Sequence, residues 1–138
     1  MQVQEFDQLL LEEQTITNYM VEGIILGYEF KIRYPFWRGT YLSCIEKLEV
    51  AIDREVLSQE DIFFTLNGKR FLMEELRAFY KEYWYVLEDA TLTVIKKGGI
   101  TKGFHEVAIT LQHRIPYGRQ PDGYRSVTNT ITRTLMAE

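Results

Sequence analysis

The sequence predicts an all-β domain, an antiparallel two-sheet β-sandwich with one short helix. Three observations predict it. Several runs alternate apolar and polar residues with a period of two, turn-forming pairs punctuate them, and the connections are too short for parallel crossovers.

The first clear strand is Tyr28 to Tyr34, where Tyr28, Phe30, Ile32 and Tyr34 share one face and Glu29, Lys31 and Arg33 the other. Leu48, Val50 and Ile52 repeat the pattern opposite Lys47, Glu49 and Ala51. Ile62 to Leu66 and Arg70 to Leu72 flank Asn67-Gly68, a pair whose tolerance of positive φ suits a tight hairpin. Met73, Leu76, Phe79 and Tyr80 then recur at helical spacing, with Glu74 and Glu75 near the start where a helix dipole favours negative charge. Ala90 to Lys96 and His105 to Ile115 read as strands separated by Gly98-Gly99 and Gly103, and Tyr124 to Leu135 as a threonine-rich one. The first twenty residues fit no single period.

Length and composition bound the function. At 138 residues and 46% hydrophobic content the chain fits one domain, 1-138, with no linker, repeat or low-complexity segment. A net charge of -4 argues against nucleic acid, whose phosphates call for a clustered basic face. The lone Cys44 has no partner for an internal disulfide, the start MQVQEFDQLL has no basic n-region or long apolar h-region, and no apolar run approaches the ~20 residues that span a bilayer. The expectation is a cytoplasmic protein without a membrane or nucleic-acid partner.

Catalytic chemistry is sparse. His105 and His113 fall on one face of their strand with Val107, Ile109 and Leu111, eight positions and therefore about 27 Å apart, too far to share a metal. Cys44 has neither a CxxC partner nor an adjacent histidine and reads as a packing residue. Glu74-Glu75 and Glu88-Asp89 read as capping and solvated acids, and Gly98-Gly99 lacks the spacing of a phosphate loop. Aromatic loading stands out instead, at 9 Tyr, 8 Phe and 2 Trp, because some of it lies at strand ends. Arg33-Tyr34-Pro35-Phe36 and Arg114-Ile115-Pro116-Tyr117 share an Arg-x-Pro-aromatic pattern, each closing a strand because proline donates nothing to a ladder. A rim holding Pro35, Phe36, Trp37, Arg38, Tyr117 and His113 suits a protein interface or a sugar platform. The competing reading folds Phe36 and Trp37 back over the core as a lid.

The run Gly27-Tyr28-Glu29-Phe30-Lys31-Ile32-Arg33, then Pro35-Phe36-Trp37-Arg38-Gly39, Leu42-Ser43 and Ile45-Glu46, resembles the beta-subunit family of C-glycoside deglycosidases. So do Asp53, the hairpin around Asn67-Gly68, Glu75-Leu76, Ala90-Thr91-Leu92-Thr93-Val94, Gly98-Gly99 and Gly103-x-His105-Glu106-Val107, which carries the likeness over roughly residues 17 to 115. Trp37, where the family favours tyrosine, and Asp53-Arg54, in place of Asp-Gly, depart from it.

The resemblance implies an accessory β-sandwich subunit of a heteromeric carbon-carbon lyase, inactive alone. It also implies a sugar-isomerase-like barrel, the alpha subunit, as partner, holding a divalent metal (Mn2+) and the acid and base, with no cofactor in this chain. The implied substrates are 3-keto C-glycosides of flavonoids or related phenols. Two further readings stay open from the residues alone, a stand-alone carbohydrate-binding β-sandwich and a fibronectin-type interaction domain.

Overall fold

The computed structural model describes residues 9–10, 13–35, 38–120 and 123–138, with the backbone alone of 116–120 and 124. Three of its hairpins are built on two-residue turns with both central residues at positive φ. Glu22 (50°) and Gly23 (80°) join β1 (Thr15–Val21) to β2 (Ile24–Ile32). Asp53 (50°) and Arg54 (70°) join β4 (Ile45–Ile52) to β5 (Glu55–Val56). Asn67 (54°) and Gly68 (74°) join β6 (Ile62–Leu66) to β7 (Lys69–Leu72), where the sequence placed a tight turn. Such turns match the right-handed twist of the strands they connect.

Two short strands, β3 (Thr40–Tyr41) and β8 (Tyr83–Trp84), pair only with each other. The remaining strands are β9 (Ala90–Ile95), β10 (Gly103–Gln120) and β11 (Gly123–Ala137). The large sheet runs β5-β4-β10-β11-β1-β2-β9-β6-β7. Its pairings are antiparallel except one short parallel step, Thr15 beside Met136 and Ile16 beside Ala137, which welds two antiparallel halves into a continuous ladder.

The all-β character is therefore as expected, but in place of two stacked sheets the chain has one curled nine-strand sheet and a small two-strand one. The difference lies in β1, which bonds along both edges and has too few buried positions to show a period in sequence. The alternating faces do bury as read. Tyr28, Phe30 and Ile32 on β2, Leu48, Val50 and Ile52 on β4, and Val107, Ile109 and Leu111 on β10 enter one hydrophobic cluster.

Two boundaries need correction. The expected short helix is a 3-10 segment, Met73–Ala78, that buries Met73 and Leu76, three apart and so eclipsed on one side of a three-residue turn. Phe79 packs beside the core, but Tyr80 is 68% exposed. The strand expected to end at Ile115 runs on to Gln120, because its pairing with β11 breaks register between Ile115 and Arg119, around Pro116, and then resumes. A break of this kind absorbs the hydrogen bond that proline cannot donate.

Candidate functional site

The chain just past the end of β2 meets the middle of β10 over a buried polar chain. Tyr34, two residues beyond β2, places its hydroxyl 2.6 Å from His113 Nδ1, and His113 Nε2 lies 3.0 Å from Asn129 Oδ1 on β11. Asn129 Oδ1 accepts from Nε2–H and the Tyr34 hydroxyl bonds Nδ1, so the ring links the two halves of the sheet. The geometry depends on a bulge in β4, where Gln112 pairs with Lys47 but His113 with Ile45, re-aiming the strand at this point. His113 has no solvent exposure and lies inside the molecule.

His113→Leu removes both bonds from partners that stay buried and is expected to cost about 2–3 kcal/mol. Urea unfolding checks this as a lower midpoint at unchanged slope.

Trp84 lies against the same chain. Its ring is fully buried, 5.6 Å from Tyr34 and 5.4 Å edge-on to Phe64, and its Nε1 donates to the Glu88 carbonyl at 2.8 Å. Pro35 is buried beside Tyr34, and Arg33 is ion-paired with Asp89. Arg38 is exposed and leads into Gly39, where a Cβ would stand 2.3 Å from the Trp84 carbonyl oxygen, so only glycine lets β3 lie this close to β8.

Above Trp84 the β3–β8 pair presents an aromatic shelf. Tyr41 meets Tyr83 at 4.9 Å and 82°, and Tyr83 meets Tyr85 at 4.6 Å and 62°. Tyr41, Tyr85 and Leu87 are 45%, 59% and 62% exposed. Leu87 also sits at φ 69°, a conformation uncommon for a side chain of this size.

At the opposite end of β10 lies a second cluster. His105 Nδ1 is 2.6 Å from Asp53 Oδ2 and Nε2 is 2.7 Å from the Thr101 carbonyl, while Asp53 Oδ1 accepts the Glu106 N–H at 2.9 Å. The hydrogen bond from His105 holds the Asp53 carboxyl below its ordinary value, and the same bond raises His105. Burial, then the negative charges of Asp53 and Glu55, push the Tyr28 phenol up to about 12. These groups line a cavity of about 420 Å3 closed on one side by residues Lys96 to Thr101.

Of the rim residues read from sequence, the structure brings Pro35, Arg38 and His113 to one end of the molecule, with His113 inside it. Phe36 and Trp37, and the side chain of Tyr117, lie outside the described residues. Sequence reasoning missed Trp84, the tyrosine shelf and the Asp53–His105 pair. The signal for the shelf was Tyr83-Trp84-Tyr85 itself, three adjacent aromatics with no amphipathic period to assign them. Among the described residues no three His, Cys, Asp or Glu side chains converge as metal ligands would. No described helix is long and apolar enough to cross a membrane.

Residues 6–117 match the family described as C-glycoside deglycosidase beta subunit. A protein of that name from Eubacterium cellulosolvens is 32% identical over 85 residues, 62% of this chain and 58% of that protein, so the match spans less than two thirds of its length. A 3'-dehydrocarminate deglycosidase beta subunit from a Microbacterium species is 34% identical over 93 residues, 66% of this chain and 68% of that protein. A C-glycoside deglycosidase beta subunit from Arthrobacter globiformis is 27% identical over 105 residues, 76% of this chain and 80% of that protein.

Proposed function

This chain belongs to the C-glycoside deglycosidase beta-subunit family, and from that premise we propose that it is the small subunit of a heteromeric enzyme acting on 3-keto C-glycosides of flavonoid or related phenolic aglycones. Its partner in this reading is a sugar-isomerase-like barrel, the alpha subunit. The observation that carries the docking role is the aromatic shelf of Tyr41, Tyr83 and Tyr85, packed ring on ring with Tyr41 and Tyr85 exposed, and followed two residues on by exposed Leu87. Permanent partners cover surfaces of this kind with large, mostly apolar interfaces.

In the assembled enzyme the proposed reaction is β-elimination. The ketone at sugar C3 acidifies the C2 proton, and a base on the partner removes it. The C1–C2 double bond then forms as the carbon-carbon bond from C1 to the aglycone breaks, and the aglycone carbon takes up a proton. The divalent metal assigned to the partner supplies Lewis acidity. In this reading the chain contributes binding and orientation, with Pro35, Phe36, Trp37, Arg38 and Tyr117 assigned to contact with the partner or the bound substrate.

Co-expression with the barrel tests the reading. The two chains are expected to co-elute at fixed stoichiometry and release aglycone from a 3-keto C-glycoside, while this chain alone releases none. Turnover by the isolated chain, or full activity of a barrel that elutes without it, would overturn the assignment.

A further inference from the structure

Far from the shelf, the loop between β9 and β10 is tied at its start, where the Lys96 N–H donates to the Leu26 carbonyl at 2.9 Å, and at two points further along. The Ile100 N–H donates to Asn18 Oδ1 on β1 at 3.0 Å, and the Thr101 carbonyl accepts from His105 Nε2 at 2.7 Å. The other ring nitrogen of His105 is 2.6 Å from the Asp53 carboxylate. A carbonyl oxygen and a carboxylate oxygen are both acceptors, so the two short contacts together fit the imidazolium, which carries hydrogen on both ring nitrogens. We propose that His105 is a protonation-gated clasp: as an imidazolium it ties the β9–β10 loop to the β4–β5 turn, and on losing a proton it releases the loop that walls the cavity.

The neutral ring keeps one N–H. Asp53, the charged acceptor, retains it, because charge-assisted hydrogen bonds are the stronger ones. Nε2 then turns a lone pair toward the Thr101 carbonyl oxygen, an acceptor facing an acceptor. Relief comes from the Thr101 hydroxyl, already 3.3 Å from Nε2 and able to donate, but taking that bond requires the Thr101 backbone to back away. Ile100, 7% exposed and part of the core, moves with it. Without its tie at Thr101, the loop breaks its bond to Asn18 more often and swings about Lys96, whose N–H holds the Leu26 carbonyl, opening the cavity lined by Lys96, Lys97, Tyr28 and Glu55.

The groups around His105 set the direction of the response. Asp53 on the β4–β5 turn favours the proton, Lys96 on the loop opposes it, and the direct bond to Asp53 outweighs both Lys96 and burial. Glu55 on β5 and Lys97 on the loop line the same cavity with opposite charges, and Tyr28 on β2 stays protonated. Glu106 faces Arg54 at 3.9 Å, and β11 presents Leu135 opposite His105. The folded-state value of His105 therefore lies above its ordinary 6.5, so the clasp is intact below that pH and is lost as pH rises through the raised value. Asp53 is lowered below 3.8, so its side of the clasp fails only as pH falls through that lower value.

A pH titration of the full chain by NMR tests the clasp without any substitution. His105 is expected to titrate above 6.5, and the amides of Gly99, Ile100 and Thr101 are expected to shift and lose about tenfold in exchange protection with the same midpoint. Amides of the Asn67-Gly68 hairpin serve as the unaffected control. His105→Gln is expected to abolish the inflection and leave the loop weakly protected at every pH, and Asp53→Asn to pull the midpoint down. A His105 midpoint at or below 6.5, or loop amides indifferent to a midpoint above it, would overturn the proposal.

Discussion

Replacing Trp84 by alanine is expected to lower the melting temperature by about 14 °C, the equivalent of about 4 kcal/mol in a chain of this size. The ring is fully buried, packs on Tyr34 and Phe64, and its Nε1–H satisfies the Glu88 carbonyl. Truncation opens a large cavity and removes that donor at once. Trp84→Phe separates the two contributions: it keeps most of the apolar contact, so its loss of about 1–2 kcal/mol reports mainly the unsatisfied carbonyl. Because Trp84 pairs with Thr40 across the β3–β8 ladder, its loss also loosens the base of the shelf. Calorimetry on both variants measures this, and a fall of under about 4 °C for the alanine variant would mean that the ring is not the packing centre of this end.

Parts of this architecture were legible in sequence for a plain physical reason. Where a strand has one wet face and one buried face, as in Tyr28 to Tyr34 and Leu48 to Ile52, the period of two is written in the residues and the structure buries the expected face. The Asn67-Gly68 turn was equally readable, since its φ values are a local property. Strands β3 and β8 were not, because two residues show no period and their pairing rests on the close approach at Gly39, 45 positions from Trp84. The same holds for Tyr34 with His113, 79 positions apart, and for Asp53 with His105, 52 apart. The sequence placed the two histidines on one face too far apart to cooperate, and the structure gives each a separate network. It could not say that one bridges Tyr34 and Asn129 and the other ties the β9–β10 loop. The helical spacing of Met73 and Leu76 was real, but three residues apart fits a 3-10 turn as well as an α-helix, and only the exposure of Tyr80 decides between them.

The largest effect on assembly is expected at the shelf. Tyr85→Ala removes a ring that is 59% exposed in this chain, so folding should change by no more than about 0.5 kcal/mol. If the alpha subunit seats on the shelf, the same change should weaken association by about 2 kcal/mol, roughly a thirtyfold rise in Kd, the range of a buried aromatic anchor. Leu87→Gly sharpens the contrast, because glycine tolerates φ 69° without strain: the isolated chain should be unharmed or slightly more stable while binding weakens. Trp37→Ala, in the adjoining stretch outside the described residues, is expected to act in the same direction, and Arg38→Lys to weaken binding less than Arg38→Ala, since an ammonium cannot reproduce a guanidinium fork. Paired melting and titration against the alpha subunit decide the matter. If Tyr85→Ala and Leu87→Gly both bind like the parent chain, the partner covers another face and the shelf has a different occupant.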